Sequence, residues 1–208
     1  MNKPTRKFYL RSAVDAAPDL LGKKLVHKTE NGICSGMIVE VEAYCGAEDK
    51  GAHSYKNRRT PRTEIMFGEG GFSYVYSIYG MHYCFNVVAN VKDKPECVFI
   101  RAVEPIDGIE LMKARRGCEN ISDLCNGPGK LCAALGIDRD CYGLDLLKDE
   151  LYIENFREIP KELIRVSPRI NIDYAEECAE YYWRFFIGEN SFVSKVAKRF
   201  RNDRAFNE

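Results

Sequence analysis

Two carboxylates and an aromatic ring fall on one face of a predicted strand, an arrangement suited to chemistry. Side chains alternate between the two faces of a strand, so Glu40, Glu42 and Tyr44 share one face, and the apolar residues between them face a core. An acidic face gains little from burial unless its acids are paired or exposed. The pattern therefore leaves two interpretations open: the solvated face of a half-buried antiparallel sheet, or a functional site.

Two further features of the sequence favour the site. Aromatic residues recur through the segment 72–86 with polar residues between them, as in a strand pair that presents rings to a flat ligand. Farther along, Arg101 interrupts an otherwise apolar predicted strand. A buried or half-buried arginine needs an anionic partner. Glu40 or Glu42 could supply that negative charge, and so could a phosphate.

The charge of the chain is balanced overall but uneven along its length. The formal net charge is +0 over 208 residues, so the field of the whole molecule gives no indication of nucleic acid. One basic cluster follows His53 and consists of Lys56, Arg58, Arg59 and Arg62. Basic groups beside a site are what a phosphate backbone requires. A second cluster, typical of a solvated face, lies in the C-terminal tail at Lys195, Lys198, Arg199, Arg201 and Arg204.

The chain contains nine cysteines, but their spacing does not indicate a metal site. No Cys-x-x-Cys pair and no His-x-x-x-His pair occurs, so we expect no metal and no metal-assisted hydrolysis. The N-terminal residues do not resemble a signal peptide, and no apolar run reaches membrane-spanning length. We therefore expect a cytoplasmic protein whose reduced cysteines are small buried hydrophobes.

The order of the predicted elements indicates one α+β domain over residues 1–208, with a curved antiparallel sheet flanked by helices. We expect flexible tails at 1–10 and 201–208. The residues Asn31-Gly32 are a strong hairpin signal, and residues 45–71 form a long basic loop of the kind that carries function. Strands are predicted at Lys23–Lys28, Ile33–Tyr44, 72–79, 83–91, 96–104, 151–154, 163–170 and 181–187, and helices at Asp15–Leu21, Asp107–Arg116 and Pro128–Leu135.

A series of short motifs, running in order through most of the chain, carries a family resemblance. The motifs are Leu20-Leu21-Gly22, Ile38 to Tyr44, Ala52-His53-Ser54, Thr60-Pro61-Arg62, Met66-Phe67, Tyr74-Val75-Tyr76, Ile78-Tyr79-Gly80-Met81, Arg101 to Pro105, Asn126 to Cys132, Arg169-Ile170 and Trp183-Arg184-Phe185. With them the chain resembles the alkyladenine (3-methyladenine) DNA glycosylase family of monofunctional base-excision enzymes. The match is dense up to about residue 140 and thinner beyond it.

The resemblance implies that a damaged base is turned out of the duplex. A base inside a duplex is unreachable, so the nucleotide must be extruded into a pocket. Tyr79 matches the family's intercalating tyrosine, although the residues alone also allow a tyrosine in the hairpin core. Tyr44 and His53 match the pair that sandwiches the base, and Tyr76 matches a third wall. Asn86 matches the residue that meets the exocyclic position of guanine, although it could also be an ordinary strand-end asparagine.

The resemblance also implies the groups that break the bond. Glu42 matches the general base, which takes a proton from water and offers negative charge to the cationic sugar. Arg101 would orient Glu42 and the water. The family uses no metal or organic cofactor, and no lysine matches a Schiff-base nucleophile, so we expect no strand nicking. Contacts to the DNA backbone are expected from Arg59, Arg62, Met81 and Lys130, the last beside a helix N-terminus that could hold a phosphate.

The implied activity is excision of alkylated or deaminated purines from double-stranded DNA by a monomer in a prokaryotic cytoplasm, leaving an abasic site. The implied substrates are 3-methyladenine, 7-methylguanine, hypoxanthine and ethenoadenine. The sequence departs from the family at His82, beside the wedge, where an aromatic residue is common, and at Phe99, which replaces a smaller aliphatic.

The sequence leaves two other functions open. The same architecture resembles the C-terminal domain of formyltransferases that act on initiator tRNA, a module that binds RNA without chemistry. Such a non-catalytic nucleic-acid-binding module has no use for Glu42 and Arg101 on one face, so their joint presence favours the enzyme. A nucleoside hydrolase would leave Tyr79 and the basic loop unexplained.

Overall fold

An antiparallel sheet organises the part of the chain that the computed structural model describes, residues 3–195 and 203–206. Its nine strands in these residues are β1 (Lys24–Thr29), β2 (Gly32–Tyr44), β3 (Ser73–Ile78), β4 (His82–Ala89), β5 (Glu96–Asp107), β6 (Leu151–Glu154), β7 (Ile164–Ser167), β8 (Arg184–Ile187) and β9 (Arg204–Ala205). The strand order is β3-β4-β5-β2-β8-β7-β9, and β1 pairs with both β2 and β6. Together with the helices, this sheet confirms the predicted α+β class.

The long central strand β2 positions the candidate site. It pairs with β1 along its first half and with β8 at Glu40–Glu42, while β5 pairs with it along the opposite edge. The register between β2 and β5 shifts near Glu40, so that Arg101 has no partner between the paired residues Ile100 and Ala102. Such bulges bend a strand and re-aim a side chain. The irregularity allows Arg101 to lie beside Glu40, within hydrogen-bonding distance.

The helices cover one face of the sheet, the face opposite Glu40 and Glu42, and build the main apolar core there. They are α1 (Arg6–Tyr9), α2 (Ala13–Leu20), α3 (Ile109–Arg116) and α4 (Pro128–Leu135), and seven short 3-10 segments occur in the described residues. Leucines of α2 and α4 share one buried apolar cluster with Val41, Val98 and Ile100 of the central strands. Burial of such side chains contributes about 1.5–3 kcal/mol each to folding. None of the helices in the described residues has the length and apolar character that crossing a membrane requires.

The cysteines contribute to these cores as free thiols. All nine are free, and seven of them are buried, while Cys45 and Cys118 are partly exposed. Cys97 packs with Met66 and Tyr74 in a second, smaller cluster. Among the residues that the structure describes, no group of three histidine, cysteine or acidic side chains could hold a metal ion.

Parts of both tails that we expect to be flexible have regular secondary structure. Residues 6–9 form helix α1, and the side chain of Tyr9 is only 1% exposed, so burial holds this segment against the core. At the other end, Arg204–Ala205 pair with β7 as strand β9. The basic tail residues Lys198, Arg199 and Arg201 lie outside the described residues.

Several predicted boundaries also move, for local reasons. Helix α2 begins at Ala13 rather than Asp15, because the Ser12 side chain caps it by accepting from the Asp15 N–H at 3.2 Å. Thr29 pairs with Gly32, so the hairpin loop is Glu30-Asn31 rather than Asn31-Gly32. Strand β7 ends at Ser167, where Pro168 follows and has no N–H to donate.

Candidate active site

The face of the sheet opposite the helices carries most of the predicted site residues. The pairing register aligns Asn86 with Phe99, Phe99 with Glu42, and Glu42 with Arg184. Side chains directly opposite one another on antiparallel strands are neighbours on one face. The sheet therefore brings residues from β4, β5, β2 and β8 into a single row, although they are far apart in sequence.

Four charged side chains of this face form what we call the buried charge network: Glu40, Glu42, Arg101 and Arg184. Arg101 Nε donates to Glu40 Oε1 at 2.9 Å, and its Nη1 lies 3.3 Å from Glu42 Oε1. Arg184 Nε donates to Glu40 Oε1 at 2.8 Å. Both carboxylates are 0% exposed. The interpretation of a solvated acidic face is therefore wrong, and two positive charges balance two negative ones in the interior.

The network keeps Glu40 ionised. Burial alone raises the pKa of Glu40, but the charges of Arg101 and Arg184 and a hydrogen bond from Ser194 outweigh burial, so the pKa lies below its ordinary value. Ser194 donates through its N–H to Glu40 Oε2 at 2.7 Å and through its hydroxyl to Oε1 at 2.8 Å. Burial lowers the pKa of Arg101, but the negative charges of Glu42 and Glu40 raise it by more. The pKa of Arg101 therefore lies above its ordinary value.

Both oxygens of Glu42 have hydrogen-bond donors. Oε1 accepts from the Ile170 N–H at 2.8 Å, on the side where Arg101 lies, and Oε2 accepts from the Tyr44 hydroxyl at 2.9 Å. Burial and the neighbouring Glu42 raise the pKa of Tyr44 well above its ordinary value, so the phenol is neutral and donates. The result is a carboxylate held in one orientation, as a general base requires.

Beside Glu42, three predicted base-binding rings line one small cavity. This inner cavity has a volume of about 60 Å³, and its lining includes Tyr44, His53 and Tyr76 with Tyr74 and Cys97. Pockets for small molecules usually measure about 300–1,000 Å³. The His53 and Tyr76 rings meet edge to face, with centroids 4.7 Å apart. The rings are together, but a purine fits between them only after they move apart.

A wider hollow, the outer basin, adjoins the inner cavity. Its volume is about 320 Å³, and it shares Gly51, His53 and Tyr174 with the inner cavity. Arg58 and Arg62 of the basic loop line its walls. The space next to the rings is therefore lined by groups that attract a phosphate backbone.

His53 is held neutral at this junction. Burial, with the charges of Arg62 and Arg58, lowers the pKa of His53 to about 4. Its Nδ1 lies 2.8 Å from the Tyr74 hydroxyl, and its Nε2 lies 3.4 Å from Arg62 Nη2. Arginine only donates, so Nε2 faces Arg62 as an acceptor and Nδ1 carries the proton. A neutral imidazole suits a stacking role.

Asn86 lies behind the wall of the inner cavity rather than on its surface. Its side chain is buried, and its Nδ2 donates to the Tyr74 carbonyl at 3.0 Å. Its Oδ1 lies 3.7 Å from Cys97 Sγ. Tyr74 and Cys97 line the cavity, so Asn86 supports two wall residues, and its predicted contact with the base stays a prediction.

Tyr79 and Met81 project from the tip of the β3–β4 hairpin. They are 87% and 73% exposed, which excludes the alternative of a core tyrosine. Tyr79 and Gly80 both have positive φ, +53° and +70°, and the Met81 N–H donates to the Ile78 carbonyl at 3.3 Å. A bulky residue in this backbone region is unusual and often marks a functional position.

Arg62 connects this hairpin with the cavities. Its guanidinium lies 4.7 Å from the Tyr76 ring centroid, and Arg62 and Tyr76 also line a groove of about 630 Å³ with Gly80 and Arg139. The inner cavity, the outer basin and this groove thus adjoin through shared residues, and together they could accept an extended nucleic-acid strand.

The other two predicted backbone cations have partners within the protein. Arg59 donates to Glu64 at 2.9 and 2.6 Å. Lys130 donates to Asn126 at 2.7 Å, beside the first turn of α4. The structure therefore does not bring Arg59 and Lys130 to the cavities in the way that it brings Arg62.

Several residues that complete the site are not among the predicted site residues. They include the donors already described, Arg184, Ser194 and the Ile170 N–H. They also include a buried ion pair, Arg169 with Asp49, in which Arg169 Nη2 donates to Asp49 at 2.7 Å. The Arg169 guanidinium lies 4.6 Å from the Tyr44 ring centroid, so this pair supports Tyr44. Only Arg169, Ile170 and Arg184 had a signal, as members of short motifs.

A family model and several similar proteins all carry the description of a methylpurine or 3-methyladenine DNA glycosylase. A family model described as methylpurine-DNA glycosylase (MPG) matches residues 7–191. A protein of Clostridium acetobutylicum named "Putative 3-methyladenine DNA glycosylase" is 50% identical over 204 residues, which cover 94% of this chain and 99% of that protein. Proteins of the same name from Natranaerobius thermophilus and Bacillus cereus are 48% identical over 191 residues and 51% identical over 198 residues. Each of these two alignments covers 90% of this chain, with 96% of the first relative and 97% of the second.

Proposed function

Since the chain belongs to the methylpurine-DNA glycosylase family, we propose that it is a 3-methyladenine DNA glycosylase. In the proposed reaction, water hydrolyses the N-glycosidic bond of a damaged purine in double-stranded DNA and leaves an abasic site. The observation that carries the proposal is the buried Glu42 carboxylate, which the Ile170 N–H and the hydroxyl of Tyr44 hold in place, because Tyr44 is also a ring of the aromatic cavity. The proposed substrates are 3-methyladenine, 7-methylguanine, hypoxanthine and ethenoadenine.

Glu42 is the proposed general base. As the bond between the sugar and the purine nitrogen breaks, its electron pair leaves with the base, and the water oxygen bonds to the sugar carbon. Glu42 accepts the proton of that water, and its negative charge stabilises the cationic sugar. Arg101 and the Ile170 N–H hold Oε1, which leaves Oε2 for the water once the Tyr44 hydroxyl moves away.

The three rings of the inner cavity are the proposed base-binding residues. Entry of the purine would separate Tyr44 from His53 and Tyr76, and this movement would also release Oε2 of Glu42. Base–aromatic stacking is worth about 1–3 kcal/mol per base. In DNA, 3-methyladenine and 7-methylguanine carry positive charge, which strengthens their attraction to an aromatic face.

Tyr79 is the proposed wedge that fills the gap after extrusion. Its exposure and its strained backbone support this role. Arg62 lines the groove beside the hairpin, and Met81 lies at the hairpin tip. Both are proposed to contact the DNA backbone. Arg59 and Lys130 can do so only by giving up their present partners.

A monofunctional reaction without strand nicking is supported by the state of a nearby lysine. Lys50 lines the outer basin, and hydrogen bonds from Lys50 to Glu176 and Glu177 raise its pKa above the ordinary value. An ammonium held in this way is a poor nucleophile. The alternative, a non-catalytic nucleic-acid-binding module, is disfavoured because such a module has no use for Glu42, a carboxylate held in one orientation against a ring of the aromatic cavity.

The proposal is tested with duplex oligonucleotides that carry hypoxanthine, ethenoadenine or 3-methyladenine. We expect abasic sites that appear as breaks after alkali, and no breaks without alkali. An undamaged duplex is the substrate control. Intact strands after alkali for all three lesions would exclude the proposed function, and breaks without alkali would exclude a monofunctional enzyme.

A further inference from the structure

The mouth of the inner cavity carries an aromatic ring that the mechanism above does not use. Tyr174 belongs to the 3-10 segment Asp173–Glu180 and lines both the inner cavity and the outer basin. It stands there with His53 and Gly51, which also line both spaces. The side chain is 68% exposed. A nucleotide that enters the inner cavity from the outer basin therefore passes Tyr174.

The backbone beneath this ring is packed. Ile172, Ala175 and Cys178 are buried and form an apolar cluster against which the Tyr44 ring packs. Arg169 Nη2 donates to the Cys178 carbonyl at 3.1 Å. The segment that carries Tyr174 is thus built onto the back of a proposed base-binding ring, so its position relative to the cavity is defined.

Ion pairs fix the same segment to the loop that carries His53. Lys50 Nζ lies 2.8 Å from Glu177 and also contacts Glu176. Glu176 has a φ of +50°, a backbone conformation that non-glycine residues keep only when their surroundings hold them. The backbone is therefore held on both sides of the cavity mouth, whereas the Tyr174 ring itself is largely exposed.

Buried charged groups near the site also affect the pKa of Tyr174. Partial burial raises the pKa of Tyr174, Arg169 lowers it, and Asp49 and Glu42 raise it. The net direction is upward, so the Tyr174 side chain is neutral.

We infer that Tyr174 is a further base-binding residue, whose ring closes the mouth of the inner cavity over the extruded purine. The inference rests on the proposed function. Because the backbone beneath Tyr174 is already held, only its side chain has to be ordered when a purine stacks on the ring, and the contact removes apolar surface of both partners from water. Closure would also keep bulk water away from the Glu42 carboxylate.

The experiment compares Tyr174→Ala and Tyr174→Phe with a matched control, Tyr181→Ala. Tyr181 is also an exposed tyrosine close in sequence, but it packs on Trp183 away from the two cavities. Each change is made in the Glu42→Gln background, so that a lesion persists during measurement. Equilibrium binding is measured with an ethenoadenine duplex and with the same duplex undamaged, and thermal unfolding of every variant is recorded.

We expect Tyr174→Ala to weaken binding of the lesion duplex about tenfold, the effect of losing one stacked ring. Binding of the undamaged duplex should stay unchanged, Tyr174→Phe should keep the parent affinity, and Tyr181→Ala should match the parent. Unchanged lesion binding in Tyr174→Ala overturns the inference. Equal losses on both duplexes overturn it too, because they indicate a general DNA contact or a damaged fold.

Excision by the unmodified chain and lesion binding by the Glu42→Gln parent together distinguish a failure of this inference from a failure of the proposed function. If the chain without the Glu42 change excises ethenoadenine and only the Tyr174 prediction fails, the proposed function stands and Tyr174 is not a base-binding residue. If that chain excises no lesion and the Glu42→Gln parent does not prefer the lesion duplex, the proposed function fails and the inference fails with it.

Discussion

The buried charge network and the tip of the β3–β4 hairpin are held by the protein in opposite ways. Every carboxylate oxygen of Glu40 and Glu42 accepts at least one hydrogen bond from within the protein. At the hairpin tip, Tyr79 is 87% exposed, and nothing lies within 4 Å of a Cβ placed on Gly80. The network is arranged before any substrate arrives, whereas the tip can obtain its partners only from the substrate.

This difference separates two kinds of substitution. Preorganised charges act on the chemical step and also support the fold. An exposed wedge acts through the DNA that it deforms, so its removal should leave both the fold and the chemical step intact. Changes in the network should therefore be seen in rate and stability, and changes at the tip in DNA binding.

The largest effect is expected for Glu42→Gln. Loss of a general base lowers a rate by about 10²–10⁴-fold, while lesion-DNA binding should be largely retained. Glutamine preserves the shape, because its oxygen can accept from the Ile170 N–H and its amide can donate to the Tyr44 hydroxyl. Single-turnover excision of hypoxanthine is the measurement, with the exposed Glu30→Gln as control. A rate equal to that of the unmodified chain would show that Glu42 is not the base.

Glu40→Gln should affect the fold most. It leaves Arg101 and Arg184 with Glu42 as the remaining buried carboxylate of the network, and breaking a buried ion pair costs about 3–5 kcal/mol. Urea unfolding gives the loss in the free energy of unfolding. The matched control is Glu64→Gln, which breaks an exposed pair with Arg59 and should cost much less, because solvent screens an exposed pair. Similar losses in both variants would contradict the structural role of the network.

Tyr79→Ser should weaken binding to a lesion duplex far more than binding to a single strand with the same lesion. Extrusion from a duplex costs a few kcal/mol that a single strand does not have to supply. The unfolding free energy should change by less than about 0.5 kcal/mol, as is usual for exposed sites. Equal losses of affinity on both substrates would remove Tyr79 from the wedge role.

His53 should make stability depend on pH in a defined window. Its pKa is about 4 in the folded protein, below the ordinary 6.5, because of burial and of the charges on Arg62 and Arg58. The unfolded chain therefore binds a proton that the folded chain resists, and the unfolding free energy falls as the pH decreases from 6.5 to 4. At pH 4, His53 lowers the free energy of unfolding by at most about 3 kcal/mol relative to neutral pH.

The variant His53→Asn isolates this contribution. Urea unfolding between pH 4 and 7 should show a flatter pH dependence in this variant than in the unmodified chain. Other titrating groups, including Glu40, act in both proteins and cancel in the comparison. A slope in His53→Asn parallel to that of the unmodified chain would show that burial of His53 has no such effect.

The smallest effect is expected for Asn86→Ser. The change removes the amide that donates to the Tyr74 carbonyl and opens space behind the cavity wall, so excision of guanine or its alkylated forms should rise relative to hypoxanthine. We expect a change of about tenfold, within the usual range for altered pocket contacts. A proportional loss on all bases would mean that Asn86 supports the pocket without discriminating between bases.

Much of the fold could be predicted from local sequence patterns. The central strand β2, the β3–β4 hairpin and helix α4 follow from alternation, aromatic content and Gly127-Pro128, because these signals act over a few residues. The family resemblance is confirmed by relatives that cover nearly the whole chain. Boundaries were less predictable, since caps and pairing partners decide them.

The residue types of the candidate site were also readable, because alternation alone puts Glu40, Glu42 and Tyr44 on one face. Whether that face is solvated or buried was not readable, since the same alternation fits both. The tertiary structure decided it: segments 169–172 and 190–194 cover the acids and supply the Ile170 and Ser194 donors. These donors lie 128 and 154 positions from the acids they bind, and local periodicity carries no information over such separations.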